Sequence, residues 1–225
     1  MPAWLQLMID SFWPLLSAGL IFTVPLTLIT FVLGILLGFL VALARLYGPV
    51  PLVALVRFYV WLVRGTPLLV QLFLIFYGLP SAGIVLDAFT AAVIGFTLNI
   101  GAYSSEIIRA TLAAIPKGQW EAAYSIGMNW PQVMWRVILP QAARIAVPPL
   151  SNTFISLVKD TSLAAAVTVP ELFQAAQRLA SVTYEPLILY VETALIYLMF
   201  SSVLSTLQDR LERRLTHKET REVAL

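Results

Sequence analysis

Cysteine is absent from this chain of 225 residues, and histidine occurs once, at His217. The lack of cysteine excludes disulfides, thiolate catalysis and cysteine-based metal sites. His217 has no other ligand residues around it, so it is expected to be solvated and no metal site is predicted. No GxxxxGK[ST] phosphate-binding sequence occurs, so the chain is not expected to hydrolyse ATP. With no nucleophile–base pair either, a membrane enzyme is the least favoured class.

Charged residues are also scarce. They make up 12% of the chain against 60% hydrophobic residues. This composition is typical of one integral membrane domain and is far from that of a soluble protein. The net charge is only +2, so the basic residues are better explained by membrane topology than by nucleic-acid binding. No basic stretch precedes the first apolar run, and a cleaved signal peptide is therefore not expected.

Five apolar segments are predicted to cross the membrane, because each offers close to the roughly 20 residues that a spanning helix needs. They are residues 18–44, 52–80, 88–115, 143–167 and 187–207. No repeat or linker divides the chain, so a single domain over residues 1–225 is predicted. Residues 168–186 are expected to form a polar loop, and residues 209–225 a charged tail.

Several breaks are expected within these segments. Gly65-Thr66-Pro67 interrupts the second, and Pro148-Pro149 is expected to kink the fourth. Gly34 and Gly38 form a GxxxG sequence in the first segment, which permits close contact with another helix and leaves a dimer face open as one use.

The basic residues predict the orientation. Almost all of them fall in the segments that share a side with the C-terminus, and Arg178 alone falls among the outer segments. The positive-inside rule therefore places the N-terminus outside and the C-terminus in the cytoplasm.

Residues 116–142 are the longest polar interruption and are predicted to form a cytoplasmic helix–turn–helix. The helix-forming run at Glu121 is expected to end at Gly127, which suits a left-handed helix end. Asn129 with Gln132 has the pattern of a capping box at the start of a second helix. Pro140 is expected to disturb the end of that helix. The hairpin is suited to docking on a cytoplasmic partner.

Ionisable side chains inside the predicted spans are expected to face a cavity or a partner, because each costs at least ~2.5–3.5 kcal/mol at the centre of a membrane helix. The spacing of Asn99, Tyr103 and Glu106 puts them on one helical face. A substrate pocket is predicted between that face and the turn after the fourth span. The predicted pocket residues are Asn99, Tyr103, Glu106, Lys159, Asp160, Thr161 and Ser162.

A zwitterionic substrate needs one group for its ammonium and one for its carboxylate. Asp160, together with Lys159 or a backbone donor, could supply both. Structural pairs are the alternative. Glu106 could pair with Arg109 on its own helix, and Lys159 could bridge to Glu106 or to Glu192.

Several sequence motifs resemble one family of membrane proteins. The run EAA at Glu121, Ala122 and Ala123, followed by Gly127 and then VILP at residues 137–140, looks like the EAA loop of bacterial ABC importer membrane subunits; the family usually has isoleucine where Val137 stands. RGTPLL, LNIGAYSSEIIRA, KGQWEAA and SLVKDTSLAA resemble the permeases for polar amino acids such as histidine, glutamine, arginine, opines and cystine. The resemblance covers nearly the whole chain and is greatest to L-cystine permeases.

The resemblance implies a fold, a mechanism and partners. The fold is the all-α, five-helix transmembrane domain of a type I ABC importer, and the EAA loop forms its coupling helix. Glu121, Ala122, Ala123 and Gly127 would contact or shape the groove of a separate ATPase subunit, which holds ATP and Mg²⁺; this chain would hold no cofactor. A periplasmic or surface-anchored binding protein, a second permease copy or sister subunit and membrane lipid would complete an importer in the bacterial inner membrane.

Two other classes stay open at this point. An ATP-independent secondary transporter or channel would explain the buried charges and broken helices but not the EAA loop. A non-transport scaffold or receptor subunit would show no substrate-dependent activity.

Overall fold

The computed structural model describes the backbone of residues 2–222; the side chains of residues 211 and 214–222, including His217, lie outside the described part. The described residues form only helices, turns and short connections. Helices α1 to α5 span Ala3–Tyr47, Val50–Gly65, Leu68–Ala82, Ala88–Ala114 and Lys117–Ser125. Helix α6 runs continuously through Trp130–Val133, Met134–Ile138 and Leu139–Asp160, and a 3₁₀ segment, Thr161–Val167, follows it. Helices α7 and α8 span Leu172–Thr183 and Pro186–Glu222.

Helix α1 is longer than the sequence predicts. It begins at Ala3, fifteen residues before the predicted start of the first span, and it continues through Pro14. Its first half packs on α7 and α8, where Leu15 shares a buried cluster with Leu172, Ala176 and Ile196. This packing gives a tertiary reason for the helix to extend, which apolar composition alone does not contain.

Three π-helical turns each end two residues before a proline. The turns are Gly19–Thr23, Leu74–Gly78 and Met134–Ile138, and the prolines are Pro25, Pro80 and Pro140. A proline clashes with the carbonyl four residues earlier and cannot donate to it. The wider turn moves that carbonyl aside, since the residue before the proline donates to the carbonyl five residues back, as Leu139 does to Met134. The prediction that Pro140 disturbs the end of its helix is therefore only partly right: a π turn replaces the α-helical pattern before it, but the helix does not end there and continues to Asp160.

The GxxxG glycines of α1 contact α4 of the same chain. A Cβ atom on Gly34 would lie 2.5 Å from Ile100, and one on Gly38 would lie 2.9 Å from Ser104 Cβ and 3.0 Å from the Gly101 carbonyl oxygen. Such distances leave no room for a methyl group between the two backbones. The close helix contact that the motif permits is present, and it is made between α1 and α4 of the same chain.

Replacing Gly38 with alanine is expected to destabilise the fold by about 1–3 kcal/mol, because the added methyl group meets backbone atoms that move only with the whole helix. The measurement is the thermal unfolding of the detergent-solubilised protein. Gly118→Ala is the matched control, since Gly118 is also helical and has nothing within 4 Å of its would-be Cβ. Alanine there should be neutral or stabilising. Equal melting temperatures for the two variants would contradict this account of the α1–α4 contact.

Helices α2 and α3 form a bent pair rather than a straight span. Their axes differ by 108° at the break that the sequence predicts at Gly65-Thr66-Pro67. Pro67 cannot donate to the Val63 carbonyl, so the bend leaves that oxygen without its helical partner. The side-chain amide of Gln71 replaces it: Nε2 lies 2.7 Å from the Val63 oxygen and 2.9 Å from Thr66 Oγ1. The backbone oxygen that the bend leaves free is thus hydrogen-bonded within the chain.

Three helices within the described residues are long and apolar enough to cross a membrane, or four if the bent pair counts as one span. They include Ala3–Tyr47, Ala88–Ala114 and the first part of α8, Pro186–Arg210. Helix α6, which holds most of the predicted fourth span, is not among them, because polar residues and Pro148-Pro149 interrupt its apolar character. The count of five spans stays a prediction.

Residues 168–186 are not the polar loop that the sequence predicts. Most of them form α7, whose first turn is capped by the Glu171 side chain accepting from the Gln174 backbone at 2.8 Å. The apolar residues of α7 are spaced to bury one face on α1, which the prediction overlooked. In the connection between α3 and α4, Asp87 caps α4, and its hydrogen bonds with Thr90 hold the pKa of the Asp87 carboxyl below its usual value.

Candidate functional site

A polar cavity of about 580 Å³ opens between the α2–α3 bend, α4 and α6. Its wall holds side chains of both charges beside neutral hydrogen-bonding groups. The lining residues are Arg64, Thr66, Pro67, Leu68, Asn99, Ile100, Tyr103, Glu106, Ile107, Asn152, Thr153, Ser156, Asp160 and Leu163. This mixture is suited to a small polar molecule with charges of both signs.

The structure brings together part of the predicted pocket. Asn99, Tyr103 and Glu106 line the cavity from one face of α4, and Asp160 reaches it from the end of α6. Lys159 does not line the cavity, since neighbouring residues on a helix point in different directions.

The two residues after Asp160 are also placed elsewhere. Thr161 is buried and donates to the Val158 carbonyl at 2.7 Å. Ser162 donates to the Lys159 carbonyl at 2.7 Å. Both hydroxyls therefore satisfy local backbone carbonyls, and neither residue lines the cavity. A role for Lys159, Thr161 and Ser162 in substrate passage stays a prediction.

Glu106 is the centre of a cluster of three arginines. Arg45 of α1 donates to Oε1, and Arg109 donates to Oε2 through Nη2 at 2.9 Å and through Nε at 3.1 Å. Arg64 lies farther off, with Nη1 3.7 Å from Oε1. The intrahelical pair with Arg109 is present, as one reading of the sequence predicted. The predicted bridge from Lys159 to Glu106 is absent among the described residues, because the arginines occupy the carboxylate.

Asp160 is the second acid of the cavity and differs from Glu106 in its surroundings. Its carboxylate makes no hydrogen bond or ion pair with any residue in the part of the chain that the structure describes. Lys159 beside it contributes only a longer-range attraction. A carboxylate facing a cavity without a bonded partner is free to accept hydrogen bonds from a ligand cation.

Two further acids are buried away from the cavity. Glu171 is fully buried and accepts from Tyr197 Oη at 2.7 Å and from Thr23 Oγ1 at 3.4 Å, which ties α7 to α1 and α8. Glu192 accepts from Ser11 Oγ and does not meet Lys159 among the described contacts. These acids join helices within the chain. Glu192 has a structural partner, but that partner is Ser11 and not the Lys159 that the sequence analysis offered, and the role of Glu171 was not foreseen.

The hairpin of residues 116–142 has the local geometry that its sequence predicts. Gly127 is in the left-handed region at φ 82° and ends α5. Asn129 and Gln132 form both bonds of the capping box, at 3.1 Å and 2.9 Å. Ala123 is buried in a cluster that includes Ile115 and Ile138.

The outer face of this hairpin is exposed. Glu121 and Ala122 are exposed on it. Tyr124, Ile126, Trp130 and Trp135 of the hairpin are exposed as well, and the ring of Trp130 also makes an edge contact with the ring of Tyr47. Ala123 therefore fixes the hairpin to the helices, while its two neighbours in the motif face outward. A buried base and an exposed surface that carries large apolar side chains beside Glu121 are suited to docking a partner.

Some lining residues had a signal in the sequence that went unused. Asn152, Ser156 and Asp160 recur every four residues, which is a polar stripe along one face of α6. Arg64 had no such signal, since only the α2–α3 bend brings its side chain to the cavity.

An all-helical chain with helices of membrane-spanning length, a cavity with charged groups of both signs and an exposed helical hairpin has the architecture expected of a membrane transport protein. The chain belongs to the family of binding-protein-dependent transport system inner membrane components, whose family description matches residues 34–217.

Similar proteins are known by sequence and by structure. The L-cystine transport system permease protein TcyB of Bacillus subtilis (strain 168) is 52% identical over 207 residues, covering 92% of this chain and 88% of that protein. The arginine transport system permease protein ArgU of Corynebacterium glutamicum is 36% identical over 222 residues, covering 92% and 70%. The crystal structure of an amino acid ABC transporter with histidines has a chain 38% identical, with a TM-score of 0.86, covering 92% of this chain and 97% of that one.

A more distant structure supports the fold alone. A chain of the inward-facing MetNI methionine ABC transporter is 23% identical, with a TM-score of 0.73, covering 92% of this chain and 98% of that one. The all-helical fold of a type I ABC importer permease is thus established, as the sequence predicted.

Proposed function

We propose that this protein moves a polar amino acid, with L-cystine as the first candidate, across the bacterial inner membrane as the permease subunit of an ABC importer. The observation that carries the proposal is the 52% identity to an L-cystine permease over 92% of the chain. The cavity is consistent with it, because Asp160 and the arginine cluster offer both signs of charge to a zwitterion. Asn99 and Tyr103 add neutral groups for its remaining polar atoms.

The exposed hairpin would serve as the coupling helix. An ATPase subunit would receive α5 in a groove, with Glu121 facing a basic partner and Ala122 permitting close approach. The buried Ala123 and the left-handed Gly127 would fix the shape of this docking surface. When two ATPases close on ATP and Mg²⁺, the paired coupling helices would move together and turn the pathway from inward-facing to outward-facing. In this mechanism the chain would transmit the movement to the pathway, and the ATPase subunit would supply the free energy of ATP hydrolysis.

The assembly that this function needs has three kinds of protein. Two permease chains, either identical or sister subunits, would face each other across the pathway, with two ATPases below. A periplasmic or surface-anchored binding protein would deliver the amino acid. The N-terminus would lie outside and the C-terminus in the cytoplasm, with lipid around five spans.

Replacing Glu121 with lysine is expected to remove at least about nine-tenths of the amino-acid-stimulated ATP hydrolysis, because it places a cation against the basic partner that docks there. The measurement is ATP hydrolysis by this chain in liposomes with its ATPase and binding protein. L-cystine, arginine, glutamine, histidine and glutamate are added in turn. Glu185→Lys is the matched control, since Glu185 is an exposed acid in the connection between α7 and α8, outside the hairpin.

The outcomes separate the candidate functions. Stimulation by one amino acid, lost with Glu121→Lys and kept with Glu185→Lys, would support both the coupling surface and the substrate class. Stimulation by no amino acid would contradict the substrate class. If no ATPase assembles with the chain while uptake continues without ATP, the alternative, a secondary amino-acid transporter, would replace the proposal.

A further inference from the structure

We infer that Arg64 binds the carboxylate of the transported amino acid and is the specificity-determining cation of the cavity; the inference rests on the proposed function. Arg64 lies at the end of α2, where the chain bends, and its side chain lines the same cavity as Asp160. A guanidinium presents N–H donors in a planar fork that matches the two oxygens of a carboxylate. The assignment requires that the guanidinium donors of Arg64 are not already bonded within the chain.

The contacts of Glu106 leave Arg64 available. Oε1 already accepts from Arg45 and Oε2 from Arg109, so both oxygens are engaged. Arg64 stands 3.7 Å from Oε1, which is an ion-pair distance and too long for a hydrogen bond. Among the described residues Arg64 forms no hydrogen bond. Its guanidinium therefore keeps its donors while the acid beside it reduces the cost of holding the charge.

Exposure and bonding together separate the three arginines. The side chain of Arg64 is 43% exposed, against 16% for Arg45 and 37% for Arg109. Arg109 donates from two nitrogens to Glu106, and neither Arg45 nor Arg109 lines the cavity. With three cations around one acid, the cluster carries more positive than negative charge, and the excess faces the cavity at Arg64. A ligand anion is the natural partner for that excess.

Two features of the fold hold Arg64 in this position. The ring of Tyr103 lies under its guanidinium, with Cζ 5.3 Å from the ring centroid, so a cation–π contact orients the planar group. Gln71 closes the bend by bonding to Val63 and Thr66, the residues on either side of the Arg64-Gly65 pair. The cation is thus placed before a ligand arrives, which reduces the entropy lost on binding.

Asp160 provides the complementary charge. It reaches the cavity from α6, and Arg64 reaches it from the α2–α3 bend. An α-amino acid carries an ammonium and a carboxylate, and its two charges match one acid and one arginine. Arg64 would then distinguish a free amino acid from a molecule that has the same side chain and ammonium but no carboxylate.

The experiment compares an amino acid with its carboxamide in the permease–ATPase complex, without the binding protein, in nanodiscs. The ligands are L-cystine against its bis-amide and L-arginine against argininamide, measured by competition with the radiolabelled amino acid. The wild-type complex should prefer the carboxylate about 10- to 100-fold, the range of a charge-assisted hydrogen-bonded pair. Arg64→Gln should reduce this preference to about one. Arg57→Gln is the matched control, an exposed arginine two turns earlier on α2 that does not line the cavity.

Each result of this binding comparison either supports or overturns the assignment of Arg64. Loss of the preference in Arg64→Gln, with the preference kept in Arg57→Gln, supports the assignment. An unchanged preference in Arg64→Gln overturns it while leaving the proposed function intact, since the complex still binds the amino acid. No binding of L-cystine or L-arginine by the wild-type complex, together with no stimulation in the liposome assay, overturns both. If Arg64→Gln does not assemble, Arg64→Lys replaces it, and the single ammonium should lower the preference several-fold; an unchanged ratio overturns the assignment.

Discussion

Replacing Glu106 with glutamine is expected to cost the protein about 2–4 kcal/mol of stability, because three arginines would then share a partly buried site without their counter-charge. Glutamine keeps the size of the side chain, so the loss would be electrostatic rather than steric. The side chain of Glu106 is 22% exposed, and water can reach the cluster only partly. The measurement is the thermal unfolding midpoint in detergent, which should fall by several degrees.

The control is Glu185→Gln, which removes an exposed acid and should leave the midpoint unchanged. Adding Arg45→Gln to Glu106→Gln should restore part of the loss, since it removes the most buried of the unpaired cations. If Glu106→Gln melts with the wild type, or if the second substitution makes the loss larger, Glu106 does not hold the cluster together.

The cluster also explains how the cavity and the hairpin are connected. Glu106 lines the cavity, and on the same helix Ile108, Leu112 and then Ile115 pack with Ala123 beneath the hairpin. Arg45 joins the end of α1 to this helix. A displacement of the hairpin by a partner would therefore reach the wall of the cavity through one helix whose position the ion pairs fix. Such a path is a physical connection of the kind that coupling requires.

Local patterns in the sequence predicted the local structures well. The capping box at Asn129 and Gln132 and the left-handed Gly127 are each decided by neighbours within a few residues. The shared face of Asn99, Tyr103 and Glu106 follows from helix geometry alone. These features needed no knowledge of which helices pack together, and so they could be predicted from the sequence.

Features that depend on distant residues could not be predicted in this way. Arg45 meets Glu106 across 61 positions, and Thr23 meets Glu171 across 148. Nothing local distinguishes Glu171 from an acid in a surface loop; only the packing of α7 on α1 buries it. The partner of the GxxxG glycines was likewise open, because the motif shows that a helix approaches closely without showing which one.

Proline and polar composition were local signals that misled. The polar residues of 168–186 predicted a loop where α7 forms, and the expected disturbance at Pro140 did not end the helix, because a π turn before the proline lets α6 continue. The same arrangement precedes Pro25 and Pro80, so the chain uses one solution three times. At Pro25, inside a predicted membrane span, this solution is favoured, since a broken helix would leave backbone groups without partners in an apolar medium.

Replacing Asp160 with asparagine is expected to lower uptake about 100-fold or more, because the ammonium of the substrate would lose the one acid of the cavity that has no bonded partner among the described residues. Asparagine keeps the shape and removes the charge. Uptake of the radiolabelled amino acid into proteoliposomes is the measurement, with ATP inside and binding protein outside. Co-purification of the ATPase shows whether the assembly is intact.

The control is Asp10→Asn, the same substitution at an exposed acid of α1 that bonds only to Gln6 among the described residues. Uptake unchanged in Asp160→Asn, with the assembly intact, would contradict a substrate contact. The result also tests the division of roles between the two acids. Glu106 accepts hydrogen bonds from two arginines and should matter mainly for stability, whereas the Asp160 carboxylate has no hydrogen bond or ion pair within the described chain and should matter mainly for transport. A stability loss with Asp160→Asn as large as that with Glu106→Gln would mean that both acids hold the helices together.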